Sequence, residues 1–191
     1  MPTARLSTAL RSLPRPTERL TFRWWTDTNA DALLAFRLWS DHRVHCLLGP
    51  SLRGATREQT DARLQLELRH GAEHGVQYWP IFHGSDEFVG AVGLRMHDEY
   101  PELGFHLRPE NWRQGYAVEA ASSVLDHAVS MLALEFVVAG HHPANVASQR
   151  TIERLGFTHT SARVASDTLY ERLVRCFTPS GAFFCMQGPT P

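Results

Sequence analysis

The residues with the clearest chemical potential lie in one stretch, Gly104 to Ala120, where a short apolar segment turns directly into a helix. Gly115 stands near the start of that helix. A helix start has unpaired N–H groups and the positive end of the helix dipole, so a turn of small residues there can bind an anion through the backbone. The glycine lets the backbone approach the anion closely, although it could also do no more than ease the turn. The stretch therefore predicts a phosphate-binding loop, with a structural turn as the alternative.

Composition narrows the chemistry further, because all 19 basic residues of the 191-residue chain are arginines. Without lysine there is no Schiff-base residue, no Walker-type Gly-Lys-Ser/Thr loop and no lysine general base. The formal net charge of -1 argues against a nucleic-acid surface, since phosphate neutralisation needs a basic excess on one face. Any phosphate must therefore be held by arginine or by backbone N–H groups.

The metal-binding residue types do not form a recognisable site. The three cysteines are Cys46, Cys176 and Cys185. None has CxxC spacing, which argues against a disulfide framework or a thiolate zinc site and favours a reducing cytoplasm. The eleven histidines include no HExxH motif, and the adjacent His141 and His142 would point to opposite faces of a strand. We predict no metal.

The chain reads as one domain preceded by an arm. Residues 1–17 are rich in arginine and serine, as transit peptides are, but the Pro14-Arg15-Pro16 break and the lack of an apolar region favour a flexible or short helical arm. Residues 18–191 suffice for a single domain with a proper core. The longest apolar run, 131–140, is interrupted by Glu135 and is about half the length of a membrane-spanning helix. We expect no membrane association.

Hydrophobic periodicity predicts a mixed α/β fold in the order β-α-α-β-β-β-α-β-α-β-β. The predicted strands are 18–25, 77–83, 88–96, 102–107 and 135–140, with two more between 157 and 187. The predicted helices are 28–39, one that opens with a capping box at Thr56 and ends near Gly71, one over about 117–132, and 145–155. Short links between the middle strands indicate an antiparallel meander, and the later helices add a β-α-β crossover, so the sheet must be mixed.

Two downstream motifs accompany the loop: Asn145-Val-Ala-Ser148 and Leu155-Gly-Phe157. Together with Arg113-Gln-Gly-Tyr-Ala117 they resemble the GNAT superfamily of N-acetyltransferases. More narrowly, they resemble the RimJ/RimL-like branch, which contains ribosomal-protein N-terminal acetyltransferases. The resemblance covers about residues 18–187 in the family's own order and implies a GNAT-like fold with a mixed central sheet of about seven strands.

The resemblance implies that the loop binds the pyrophosphate of acetyl-coenzyme A, a co-substrate, through backbone amides. These are the amides of Arg113, Gln114, Gly115, Tyr116 and Ala117. Trp112 stands where the broader superfamily has arginine or glutamine, and a tryptophan there suits the Rim branch. The Arg113 side chain could add a charge-assisted contact to phosphate or face solvent.

The resemblance also implies where the rest of the co-substrate binds. Phe105 and Leu107 would offer main-chain contacts to the pantetheine arm on a strand that is splayed from its neighbour. Asn145 would reach the arm from the other side, and it is also a natural helix N-cap.

For catalysis, the resemblance implies that Ser148 donates a proton to the departing thiolate, although a polar residue in the first turn of a helix is ordinary by itself. Ile152 occupies the position at which many superfamily members carry a tyrosine acid. Glu102 is our first choice for the general base, acting directly or through water. Asp167 and Glu171 are the alternative bases, and Glu102 could also be a surface glutamate without a catalytic role.

We therefore expect an acetyl-CoA-dependent N-acetyltransferase that acts on a primary amine by direct transfer in a ternary complex. The acceptor could be a protein N-terminus, such as that of a ribosomal protein, or a small amine. The alternative is a catalytically silent acyl-CoA-binding module with a regulatory role. A third class, a nucleotide-binding protein that uses the same loop, also stays open.

The acceptor side is expected to consist of residues 41–56 and 162–177. Trp24, Trp25 and Trp39 could form aromatic walls there, although such residues are more often core. A homodimer is left open, because an edge strand or residues 176–187 could pair with another subunit.

Overall fold

The computed structural model describes residues 11–46, 48, 56–97, 100–159 and 171–177. The strands in this part of the chain are β1 (Leu20–Phe22), β2 (Tyr78–His83), β3 (Glu87–Met96), β4 (Pro101–Leu107), β5 (Phe136–His141), β6 (Thr158–His159) and β7 (Glu171–Cys176). The helices are α1 (Asn29–Trp39), α2 (His42–His45), α3 (Arg57–His74), α4 (Tyr116–Ser130) and α5 (Val146–Arg154), with a short 3-10 helix at Pro109–Asn111. None of these helices is both long and apolar enough to cross a membrane.

The seven described strands form a single sheet in the order β1-β2-β3-β4-β5-β7-β6. Strands β1 to β4 are an antiparallel meander. Strand β5 is parallel to β4, because α4 carries the chain back across the sheet between them. Strands β7 and β6 then continue antiparallel. The predicted mixed α/β sheet of about seven strands is confirmed.

In the described part of the chain, hydrophobic cores lie on both faces of the sheet. One lies under α4 and α5 and includes Leu103, Leu107 and Ile152. The other lies under α1 and α3 and includes Tyr78 and Trp39. Because side chains alternate along a strand, residues 102, 104 and 106 of β4 belong to the face that carries α1 and α3.

Helix α3 ends one turn later than the sequence predicted. Gly71 lies inside the helix, and the chain leaves it at Gly75, which has the left-handed φ of 68° typical of a helix C-terminus. A Cβ on Gly71 would lie 2.9 Å from Gln77 Oε1 and 3.1 Å from the Trp24 ring. Packing against Gln77 and Trp24 therefore requires a glycine at position 71, and the predicted helix end near Gly71 was wrong. The capping box predicted at Thr56 and Gln59 is present.

The first strand and the region after α1 also differ from the prediction. Strand β1 covers Leu20–Phe22 only, because the Trp25 indole N–H, rather than the backbone, donates to the Tyr78 carbonyl at 2.7 Å. The four-residue helix α2 was not predicted, and the Asp41 side chain caps it by accepting from the Arg43 N–H. So short a helix has almost no periodicity to detect.

The described part of the N-terminal segment, residues 11–17, lies along α4. Ser123 Oγ donates to the Arg15 carbonyl at 2.6 Å, and Ser12 Oγ lies 3.4 Å from His127 Nε2. The Thr17 hydroxyl donates to Glu119. Residues 1–10 lie outside the described residues.

Candidate functional site

The loop between β4 and α4 combines exposure with two left-handed residues. Gly115 is the N-cap of α4, with φ 82°, and it supplies no side-chain hydrogen bond to the helix start. Arg113 has φ 62°, a conformation that costs a non-glycine residue about 1 kcal/mol or more. Residues 112–115 are all exposed. The start of α4 therefore has N–H groups that no cap side chain occupies, which is the arrangement that binds anions.

Strands β4 and β5 separate directly before this loop. Their parallel pairing consists of Glu102 with Val138 and Leu103 with Ala139, although β4 continues to residue 107 and β5 to residue 141. The splayed strand that the family resemblance implied is thus present at the predicted place.

The main-chain groups of Phe105 and Leu107 lie on the splayed edge. The Arg108 N–H donates to the Val89 carbonyl of β3 at 2.9 Å, so alternation along the strand turns residues 105 and 107 toward β5. The Leu107 carbonyl accepts from the Trp112 indole N–H at 2.8 Å. Trp112 thereby ties the end of β4 to the loop while 43% of its surface stays exposed.

The start of α5 brings the predicted Asn145 and Ser148 together. Asn145 is the N-cap, and its Oδ1 accepts from the Ser148 N–H at 3.0 Å. Ser148 is partly exposed, and its hydroxyl makes no hydrogen bond to any residue in the described part of the chain. Ile152, one turn further, is fully buried in the core. Among the described residues, the hydroxyl of Ser148 is therefore not engaged, and residue 152 serves packing.

Glu102 lies at the start of β4, on the face that carries α1 and α3. Its Oε2 is 2.9 Å from His97 Nε2, and its side chain is 22% exposed. The His97 ring stacks on Tyr100 with centroids 4.7 Å apart. Glu102 pairs across the sheet with Arg95, which itself donates to the buried Glu67 at 2.6 Å. Glu102 is thus a partly accessible carboxylate held beside a histidine.

His106, which the sequence predicts as a strand-end residue near the cofactor cleft, lies further along the same face of β4. The His106 side chain is partly exposed, but its Nδ1 is buried with no hydrogen-bond partner among the described residues. Burial, together with the nearby Arg63 and Arg95, holds the pKa of His106 well below its usual 6.5. The Tyr78 ring lies 5.4 Å away, and burial raises the pKa of Tyr78. Both side chains are therefore neutral at neutral pH.

Arg19 is a residue near the site that sequence reasoning missed. Its Nη1 donates to the Gln114 carbonyl at 3.1 Å, and its guanidinium lies 4.6 Å from the centre of the Tyr116 ring. Its Nη2 is 2.5 Å from Glu119 Oε2. No local pattern could have indicated these contacts, because they join residues about a hundred positions apart.

Several predicted residues lie elsewhere or outside the description. Trp25 and Trp39 are buried in the core between the sheet and α1, so they are not aromatic walls of a cleft. Trp24 packs edge-on against Trp79. Of the proposed acceptor segments, residues 47, 49–55 and 162–170 lie outside the described residues. Asp167 is among these, and the side chain of Glu171 is not described either.

The histidines do not assemble into a metal-binding group within the described ranges. No group of three or more His, Cys, Asp or Glu side chains there could hold a metal ion. The absence of a metal stays a prediction.

Three features together define an acyl-CoA N-acyltransferase fold. They are the mixed sheet, the splay between β4 and β5, and the following loop, which leads into a helix without a side-chain N-cap. The chain belongs to the GNAT acetyltransferase family, because the model of the acetyltransferase (GNAT) domain matches residues 19–158. It is also 30% identical over 147 residues to an uncharacterized N-acetyltransferase of Bacillus subtilis, YoaA, covering 74% of this chain and 80% of the relative. The protein is thus an N-acetyltransferase of the RimJ/RimL-like group.

Solved structures agree on the fold. An acetyltransferase from Agrobacterium tumefaciens superposes with a TM-score of 0.74 and 26% identity, over 87% of this chain and 96% of that one. RimL, a ribosomal L7/L12 alpha-N-protein acetyltransferase solved with coenzyme A, superposes with a TM-score of 0.69 and 15% identity, over 87% of this chain and 98% of that one. At that identity, RimL supports the fold alone.

Proposed function

We propose that this N-acetyltransferase moves the acetyl group of acetyl-CoA to a primary amine in a single step within a ternary complex. One observation carries the proposal: the splayed edge of β4 leads directly into an exposed helix start with left-handed residues at 113 and 115. In acetyl-CoA the thioester arm leads to the pyrophosphate. The splayed edge would bind the arm, and the exposed helix start that follows it would bind the pyrophosphate.

The loop fits the phosphates of the co-substrate. Gly115 has no side chain, and a Cβ added there would lie 3.4 Å from Arg19 Nη2. The glycine therefore leaves room for a ligand beside the backbone. The amides of residues 113–117 would hold the pyrophosphate with the help of the α4 dipole. The exposed Arg113 side chain could add a charge-assisted bond, and Trp112 holds the loop against the end of β4.

The splayed edge fits the pantetheine arm. Phe105 and Leu107 would bind its amides through their main-chain groups, since β5 does not pair with this part of β4. Asn145 would meet the arm from the α5 side while continuing to cap that helix. One asparagine side chain can do both, because its amide NH₂ stays available when Oδ1 accepts the Ser148 N–H.

The proton transfers are assigned to two side chains, Glu102 on β4 and Ser148 at the start of α5. Acetyl-CoA supplies an acetyl thioester and a thiolate leaving group. Glu102 accepts a proton from the acceptor amine, directly or through water, so that the nitrogen lone pair can attack the carbonyl carbon. Ser148 Oγ gives a proton to the leaving sulfur as the carbon–sulfur bond breaks, and it takes up, directly or through water, the proton that the nitrogen loses as the amide forms. Its hydroxyl is suited to this because no described residue engages it.

The acceptor proposed first is a protein N-terminus, with a small amine as the second candidate. The first choice rests on membership of the RimJ/RimL-like group. The acceptor would enter over the face of β4 that carries Glu102 and His106, where a carboxylate and a neutral imidazole can accept hydrogen bonds from an amine.

Thiol release from acetyl-CoA tests this function across a panel of N-terminal peptides, polyamines, amino acids and amine antibiotics. We expect turnover on at least one member of the panel, with initial-rate lines that intersect, as a ternary complex requires. Tight binding of CoA without turnover on any acceptor would instead support the silent acyl-CoA-binding module. Calorimetry that showed binding of ATP or NAD but not CoA would support the nucleotide-binding alternative.

A further inference from the structure

Arg19, directly before β1, contacts the residues on both sides of the helix cap of α4. Its Nη1 donates to the Gln114 carbonyl at 3.1 Å, and its guanidinium lies over the Tyr116 ring at 4.6 Å. Gly115, between them, would place a Cβ 3.4 Å from Arg19 Nη2. The side chain is 40% exposed, so it borders the open side of the loop.

The same guanidinium is bound to a carboxylate in the first turns of α4. Glu119 Oε2 accepts from Arg19 Nε at 2.7 Å and lies 2.5 Å from Nη2. Glu119 Oε1 accepts from the Arg19 main-chain N–H at 3.1 Å and from the Thr17 hydroxyl. Burial raises the pKa of Glu119, but the hydrogen bonds from Thr17 and Arg19 outweigh it and hold the pKa below its usual 4.5. Glu119 is therefore ionised at neutral pH.

An ionised carboxylate at this place has two opposite effects. It interacts favourably with the positive end of the α4 dipole, but it would repel a phosphate that binds at the same end. A guanidinium bound to it through two nitrogens cancels that repulsion. The same guanidinium anchors the Gln114 carbonyl, next to the left-handed Arg113, whose backbone conformation needs support from its surroundings.

We propose that Arg19 is a positioning residue for the phosphate loop, which holds the loop in its phosphate-binding conformation and neutralises Glu119. This inference rests on the proposed binding of acetyl-CoA by that loop. The segment before β1 thereby contributes to co-substrate affinity through Thr17 and Arg19, although this segment lies about a hundred residues from the loop in the sequence.

Calorimetric titration with CoA of the wild type, Arg19→Ala, Glu119→Gln and the double variant tests the inference. We expect Arg19→Ala to weaken CoA binding about tenfold, the scale of a partly buried charge at a helix start. The double variant should recover part of this loss, because the uncompensated carboxylate is gone. Arg19→Gln keeps a donor for Gln114 but no charge, and it should still bind CoA more weakly than the wild type. Arg57→Ala removes another half-exposed, ion-paired arginine and should leave CoA affinity unchanged.

A second readout separates positioning from general stability. KM for acetyl-CoA should rise in Arg19→Ala while KM for S-acetyl-pantetheine, which lacks the pyrophosphate, and kcat stay within about twofold. Equal losses for both thioesters would overturn the inference, as would unchanged CoA affinity in Arg19→Ala or no recovery in the double variant. If the wild type itself did not bind CoA, the proposed function would fail, a result distinct from all of these.

Discussion

At the scale of single residues, the proposed acetyl transfer depends most on the hydroxyl of Ser148. Ser148→Ala should lower kcat by about 10²-fold, because the thiolate would leave without a proton donor, while CoA affinity stays close to that of the wild type. Thr151→Ala is a matched control, since that hydroxyl is on the same helix but donates to the Ala147 carbonyl. Stopped-flow or steady-state thiol release measures both. A normal rate for Ser148→Ala would mean that another group protonates the sulfur.

Glu102 provides the second residue-scale prediction. Glu102→Gln should lower kcat by about 10²-fold, because an amide cannot accept the proton of the acceptor amine. Glu87→Gln is the matched control: Glu87 also pairs with a histidine, His83 at 3.2 Å, but on the far end of β3. Rate measurements across pH should show that only Glu102→Gln changes the profile. Equal, small effects of the two variants would assign the base elsewhere, for example to the region of Asp167.

Local motifs and the family resemblance indicate some candidate site residues but not others. Gly115 lies in a contiguous strand-turn-helix pattern, whereas the proposed roles of Asn145 and Ser148 follow from the resemblance. Arg19 could not be assigned from sequence, because its partners lie in a distant segment. An arginine before a first strand has no local signal for a contact about a hundred residues away.

At the scale of elements, CoA binding by the loop between β4 and α4 should depend on the N-cap of α4. Gly115→Asp should abolish measurable CoA binding, because it adds a side chain and a negative charge at a left-handed position beside the proposed pyrophosphate site. Gly84→Asp makes the same change at a glycine with φ 59° and nothing within 4 Å of its Cβ. It should carry a similar backbone cost and keep CoA affinity. Calorimetry distinguishes the two, and unchanged affinity in Gly115→Asp would exclude this loop as the binding site.

Element order followed from hydrophobic periodicity, whereas several element ends did not. Apart from the short helix α2, the order and the mixed sheet are confirmed, because long, strongly patterned segments specify them. The end of α3 was wrong because a glycine predicts a helix end only when the chain there needs a positive φ. Gly71 is instead required by the Trp24 and Gln77 side chains, and that packing is visible only in three dimensions.

At the scale of the whole molecule, stability should fall as pH drops from about 6.5 to about 4. Burial lowers the pKa of His70 to about 4 and also lowers the pKa values of His106 and His127. Below the unfolded value of about 6.5 the unfolded chain binds more protons than the folded one, so acid favours unfolding. The lowered pKa of Asp31 contributes only further down, because its usual value is 3.8.

Urea unfolding at a series of pH values measures this dependence. His70→Gln should flatten the curve in that range, since a glutamine does not titrate. A wild-type stability that did not change over this range would contradict the assignment of neutral, buried histidines.

At the scale of the whole molecule, the absence of lysine also lowers the background in a measurement of acetyl transfer. With all 19 basic residues arginine, the chain has no side-chain amine that acetyl-CoA could modify. Incubation with acetyl-CoA and the amine panel, followed by mass spectrometry of every component, therefore tests acetyl transfer to an amine against a low background. We predict that an acceptor amine gains one acetyl group while the protein gains none at any side-chain amine, and that Ser148→Ala slows the gain. An acceptor panel that stays unmodified while CoA binds tightly would contradict acetyl transfer to an amine as the function of this site.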